Sequence, residues 1–206
     1  MKKLFRFAIM ALAVCTAAVA CQNSKDPEKK EEAKEVIKID GFFSDWVKIT
    51  TAVESEEGPY YTFKATYDSE FMYFYSKRNF REDYWGNYGY FYYGIDLDND
   101  DTTAMEDPQG MPGVETWICF YPFGGTNEAP ALNTTPYGGG LDGWSNYQFA
   151  EGALNGSFDD DYVEIEVRVP RADLRINAGT TVKIYSWGNK SASNIKTEAL
   201  ELTIEK

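Results

Sequence analysis

The chain has 206 residues, with 33 acidic side chains against 20 basic ones, no histidine and 3 cysteines. That length suits one domain, or one domain with a tail. Without an imidazole, Ser-His-Asp and Cys-His nucleophile systems, His-ligated zinc and His-ligated haem are all excluded. A net charge of -13 argues against a nucleic-acid partner, whose phosphates it would repel. The same charge permits cations held by oxygen. Aromatic residues make up 16% of the chain, led by 15 Tyr and 13 Phe, a composition typical of secreted β domains.

Residues 1–20 read as an address rather than as fold. Lys2, Lys3 and Arg6 form a positive start, and an uncharged apolar stretch runs from Phe7 to Ala20. That stretch is shorter than the roughly 20 apolar residues needed to span a bilayer, so it reads as a secretory signal peptide. Ala18-Val19-Ala20-Cys21 resembles a bacterial lipobox, with Ala18 where Leu is more usual. The resemblance implies cleavage before Cys21 and lipidation of its thiol, which anchors the chain in a membrane. Ordinary cleavage after Ala20 is the alternative. With Cys15 removed and Cys21 acylated, Cys119 is the one thiol left, so an intramolecular disulfide is not expected. Cys119 lies in a strand-like run and reads as a buried structural thiol.

Residues 21–35 combine lysines and acids with no large apolar side chain, so they read as a solvated tether after the lipidated cysteine. Gln22 is not the Asp that marks inner-membrane retention in enteric-type lipoproteins. The expected location is therefore the outer membrane. A charged segment soon after the cysteine also resembles the export signals of Bacteroidetes surface lipoproteins, which implies exposure at the cell surface.

From residue 36 to 206 the apolar period is close to two. Tyr61, Phe63, Ala65 and Tyr67 alternate with Thr62, Lys64 and Thr66. Phe71, Tyr73 and Tyr75 alternate with Met72 and Phe74, a strand apolar on both faces. Segments 88–95 and 114–121 follow the same style. Val163, Ile165, Val167 and Val169 alternate with Glu164, Glu166 and Arg168 and are stopped by Pro170. Val182, Ile184 and Ser186 alternate with Lys183, Tyr185 and Trp187, and Leu200, Leu202 and Ile204 close the chain. Short strands at this spacing predict an all-β antiparallel sandwich of the jelly-roll kind. A helical turn is expected after Pro170, and loop excursions over 76–87 and 122–145.

Four segments carry a family resemblance. Ile39-Asp40-Gly41-Phe42-Phe43-Ser44-Asp45-Trp46 opens the domain with a turn dipeptide and a large plug for the core. The segments from Tyr67-Asp68 to Tyr75, from Tyr92 through Ile95-Asp96-Leu97-Asp98-Asn99-Asp100, and from Glu164 through Glu166-Val167-Arg168-Val169-Pro170-Arg171 to Leu174 follow in order. Together they resemble the family 9 carbohydrate-binding modules and their DOMON-like β-sandwich relatives, over nearly all of 36–206. The resemblance implies a non-catalytic module that binds an oligo- or polysaccharide beside glycan-processing or import proteins. Haem binding, known among DOMON relatives, is disfavoured because there is no axial histidine.

Two candidate sites follow. Asp96, Asp98, Asp100 and Asp101, with Asp107 beyond them, crowd one turn. Alternate aspartates leaving a strand can converge on Ca²⁺, which takes about six to eight oxygens at roughly 2.3–2.6 Å. Asp101 stands where an EF-hand needs Gly, so an EF-hand is rejected. The resemblance implies a structural calcium here, with Asp96 and Asp98 its central ligands; a solvated acidic hairpin is the alternative. For sugar stacking, Trp46 and Trp117 are expected in packing, which leaves Trp85, Trp144 and Trp187, with Tyr84 and Tyr137, as loop aromatics. The relatives clamp sugar between aromatics after early and late strands, places that Trp85 and Trp187 roughly occupy. Loop aromatics folded back on the sandwich are the alternative. Two other functions stay open: a protein-docking module on the same fold, and a glycan hydrolase using paired carboxylates.

Overall fold

A computed structural model of the chain describes residues 37–54, 61–79, 91–103, 112–120, 137–140, 143–146, 151–155, 162–190, 193–196 and 198–206. The expected leader, Cys21 and the tether lie outside these residues.

The described residues form two antiparallel sheets, as the period-two pattern predicts. The first has strand order β1-β2-β3-β9-β8, built from Ala52–Glu54, Tyr61–Tyr67, Phe71–Asn79, Tyr162–Pro170 and Glu151–Asn155. The second has order β11-β10-β4-β5-β6-β7, from Ser193–Lys196, Thr181–Lys190, Phe91–Asp96, Thr116–Phe120, Tyr137–Gly140 and Gly143–Asn146. A last strand, β12 (Leu200–Thr203), pairs the first half of β10, while β11 pairs its second half. No described helix is long and apolar enough to cross a membrane.

The core lies between the sheets. Alternate residues of β2, β3 and β9 (Phe63, Phe74 and Val167 among them) meet those of β4, β5 and β10, such as Tyr93, Ile118 and Ile184. Tyr93 joins the layers. Its ring stacks on Phe74 and Phe63 at centroid distances of 4.7 and 5.4 Å. Its hydroxyl pairs with Ser76 Oγ at 2.8 Å, so the polar end of a fully buried phenol is satisfied.

The doubly apolar strand predicted at 71–75 has a simple cause. Met72 and Phe74 face the main core, and Tyr73 and Tyr75 belong to a second cluster with Ile37 and Trp46. Residues 37–49 cover that outer face, and their central element is a 3-10 helix, Phe43–Lys48. Trp46 is therefore packed as expected, but on this short helix and not in a strand. Its ring stacks on Tyr75 at 5.5 Å.

This cover is tied down by a buried carboxylate. Glu166 Oε1 accepts hydrogen bonds from the amides of Asp40 (2.9 Å) and Gly41 (2.7 Å), and Oε2 accepts one from Trp46 Nε1 at 2.9 Å. Gly41 has φ +80°, a left-handed turn conformation that favours glycine. The Asp40-Gly41 opening and the late Glu166 segment thus meet in space. The Asp68 turn meets the late segment too, since Arg171 donates to the carbonyl of Asp68 at 3.0 Å. Beyond Pro170 the expected turn is present, with the Asp173 and Leu174 amides donating to the Pro170 carbonyl at 3.1 and 3.4 Å.

Candidate metal centre and the aromatic sheet face

The acidic turn follows β4 directly. Asp96 is the last residue of that strand and is fully buried, whereas Asp98, Asn99 and Asp100 are exposed. The turn closes through its own side chains. Asp96 Oδ1 accepts the Asn99 amide at 2.5 Å, and Asp100 Oδ1 accepts the Thr102 amide and hydroxyl. Asn99 takes φ +61°, a left-handed position that Asn tolerates better than most residues.

Glu115 completes the site. Its amide bonds the Ile95 carbonyl at 3.1 Å, which sets the residue beside Asp96. Its Oε2 accepts the Leu97 amide at 2.6 Å, and its Oε1 accepts the Thr103 hydroxyl at 2.5 Å. One carboxylate oxygen each from Asp96, Asp98 and Glu115 lie within 4.8 Å of one another. Two oxygens on a single Ca²⁺ can stand at most about 5.2 Å apart, twice its bond length, so this grouping fits one ion.

A second observation points into the same space. Asp96 Oδ2 is buried and accepts no hydrogen bond. Gly113 borders it; a Cβ there would sit 2.6 Å from Asp96 Oδ2 and 3.2 Å from the Asp100 carbonyl oxygen. Only a residue without a side chain lets the backbone approach this oxygen so closely. Burial pushes the Asp96 carboxyl up from its ordinary range, outweighing its hydrogen bonds and the nearby Lys183. Burial also pushes the Glu115 carboxyl up, helped by the charges of Asp98 and Asp96. Such charges are costly without a counter-ion. The residues can hold a metal ion, and an all-oxygen donor set suits hard cations such as Ca²⁺, Mg²⁺ or Mn²⁺.

Asp96 and Asp98 belong to the pocket, and Glu115 is the third carboxylate. Asp101 instead pairs with Lys183 at 2.8 Å. The Asp100 carboxylate is engaged by Thr102, whose hydroxyl and then amide hold it below its ordinary range. Asp107 lies outside the described residues. Glu115 escaped the sequence reading because it stands alone before an apolar strand; a lone acid at the mouth of such a run was the available signal.

The aromatic candidates are also relocated. Trp85 and Tyr84 lie outside the described residues. Tyr137 and Trp144 were expected in a long loop but lie on β6 and β7, and Trp187, expected at a strand end, lies within β10. Register places all three on one face. Trp187 pairs Tyr92, Tyr92 pairs Cys119, and Cys119 pairs Tyr137. One step along, Tyr185 pairs Gly94, Gly94 pairs Trp117, Trp117 pairs Gly139, and Gly139 pairs Trp144. Directly paired residues share a face, as do residues two apart in a strand. This is the outer face of the second sheet.

Its centre is closed by Trp117, Cys119, Tyr185 and Val114, all buried, with Tyr92 half-buried beside them. Trp117 is thus packed as expected, but outside the main core, and Cys119 is the buried thiol anticipated. Asp96 pairs Lys183 one further step along the same strands, so the carboxylate pocket stands at the end of this aromatic face. The chain matches no known protein-family model and no curated protein.

Proposed function

We propose that this chain is a non-catalytic carbohydrate-binding lipoprotein of the bacterial outer membrane, in which a calcium ion held by Asp96, Asp98 and Glu115 stabilises one end of a β-sandwich. The observation that carries the reading is the register that sets Tyr137, Trp144 and Trp187 on one sheet face. Trp187 and Tyr137 are three strand steps apart, roughly 14 Å at about 4.8 Å per step, a span matched to a short oligosaccharide. Aromatic faces stack on the C–H faces of sugar rings, and the flanking polar groups supply hydrogen bonds. Calcium is favoured over smaller ions because Asp98 is exposed, which leaves that side of the group open to the waters of a larger coordination shell. The family 9 and DOMON-like resemblance supports the same reading, since two pairs of its segments join through Glu166 and Arg171.

Affinity electrophoresis of the leaderless protein through gels containing soluble polysaccharides tests it. Retardation by one polysaccharide class, lost in Trp187→Ala or Trp144→Ala with the melting temperature kept, is the expected result. Equal mobility in every gel would remove the carbohydrate reading. One observation favours protein docking instead: Phe42, just before the 3-10 helix, and Val47, within it, are 75% and 77% exposed.

A further inference from the structure

Lys183 stands beside the carboxylate pocket, its side chain 17% exposed. Its ammonium is 3.6 Å from Asp96 Oδ2 and 2.8 Å from Asp101 Oδ1. The longer distance exceeds that of a hydrogen bond, so the ammonium balances the buried charge without using the oxygen's lone pairs. The shorter contact is to a carboxylate that is 59% exposed, while Asp96 is fully buried. Lys183 is fixed opposite Asp96 by the pairing of β10 with β4, so its reach to both acids is built into the sheet.

We propose that Lys183 is the resident counter-ion of the pocket, and that it yields Asp96 to an incoming divalent cation by retiring onto Asp101. The inference rests on the metal reading above and adds what sets the affinity of that site. A divalent ion on Asp96 Oδ2 would be repelled by an ammonium 3.6 Å from the same oxygen. A lysine side chain on its flexible stem exchanges partners easily, and Asp101 already holds it. The pocket without metal is then tolerable to the fold, and metal must compete with a tethered cation. That makes the site a weak one, in the range of about 10⁻⁴ to 10⁻³ M typical of extracellular calcium modules, which loads and unloads with the surrounding calcium.

The test is calorimetric titration of calcium chloride into chelator-treated protein, for wild type, Lys183→Met, Asp101→Asn and the double variant, with a melt of each to establish folding. Lys183→Met is expected to bind calcium about tenfold more tightly, the order expected for removing a unit charge a few ångströms from a divalent ion even at a water-like dielectric. Asp101→Asn is expected to weaken binding more in the wild-type background than once Lys183 is gone, because part of its effect passes through the ammonium. An unchanged or weaker constant in folded Lys183→Met would overturn the proposal while leaving the metal site standing. Equal effects of Asp101→Asn in both backgrounds would overturn the exchange. Absence of binding in wild type and Lys183→Met alike would overturn the metal reading and this inference with it. Should Lys183→Met fail to fold, Lys183→Gln carries the same expectation.

Discussion

Trp46 and Glu166 stand 120 positions apart in the chain and are joined by a 2.9 Å hydrogen bond from the indole Nε1 to the carboxylate Oε2. The other oxygen of Glu166 accepts two backbone amides of the Asp40-Gly41 turn. Three donors converge on one buried acid, and the N-terminal cover of the first sheet is held by it. Burial is the strongest influence on this carboxyl and keeps it above its ordinary range, despite the bonds that favour its charged form.

Glu166→Ala is therefore expected to destabilise the fold by about 2–4 kcal/mol, because it leaves buried donors unpaired and opens a cavity. Urea unfolding followed by tryptophan fluorescence measures this. A midpoint equal to that of wild type would mean that the cover is held by its apolar contacts alone.

Calcium is expected to raise the melting temperature of the chelated protein. At a hundred times its dissociation constant a bound ion adds about 2.7 kcal/mol. The double variant Asp96→Asn with Glu115→Gln should lose that response, whereas Asp100→Asn should keep most of it. A response unaltered by the double variant would place the ion elsewhere.

The same two carboxyls give a pH signature. Both are raised in the folded state, chiefly by burial, so the folded protein takes up their protons before the unfolded chain does. In chelator, their contribution to stability grows as pH falls through the raised folded values and levels off near the ordinary carboxyl range of about 4. Melting wild type beside the double variant from pH 7 to 4 isolates this contribution, and wild type should gain on the variant. In saturating calcium the direction reverses, since protons displace the ion.

Gly113 is expected to tolerate no side chain. Its φ of +76° disfavours an L residue, and a Cβ would press on Asp96 Oδ2 at 2.6 Å. Gly113→Ala should cost about 1–2 kcal/mol from the backbone alone and abolish the calcium response. A folded variant that kept the response would show that the pocket opens from another side.

Alkaline stability is governed by the tyrosines under the N-terminal cover. Burial first, and then the hydrogen bond to Asp68, push the Tyr73 phenol up to about 12, and burial with Glu164 pushes Tyr75 up as well. The unfolded chain releases these protons near pH 10 and the folded chain holds them longer. Stability is therefore lost as pH rises above about 10. Phenolate absorbance should show Tyr73 and Tyr75, with the likewise buried and raised Tyr185, titrating late and ionising with unfolding, and ionisation of every tyrosine near pH 10 with the fold intact would contradict this.

The strands were legible wherever one face is buried and the other is not. Val163 to Val169 and Phe63 to Tyr67 announce themselves by alternation, because the inner positions must be apolar to meet the opposite sheet. The covering role of residues 37–49 was half legible. Strand β3 is apolar on both faces, which requires a cover, yet nothing in Phe43-Ser44-Asp45-Trp46 distinguishes a 3-10 turn from a short strand. Strands β6 and β7 are hidden in the sequence because residues 122–145 are dense in Gly and Pro and carry no regular period; they pair at the far edge of the sheet, where β5 offers the ladder. The acidic turn was visible as a crowd of aspartates. Its third carboxylate was not, since Glu115 is brought to Asp96 by strand pairing that no local pattern encodes.

The most direct test of the whole account is a glycan array probed with the leaderless protein in calcium and again in chelator. Binding to one class of polysaccharide is expected, weakened when calcium is removed and absent in Trp187→Ala. A blank array in both conditions, from protein whose melt still responds to calcium, would contradict it and leave a metal-stabilised sandwich that recognises something other than sugar.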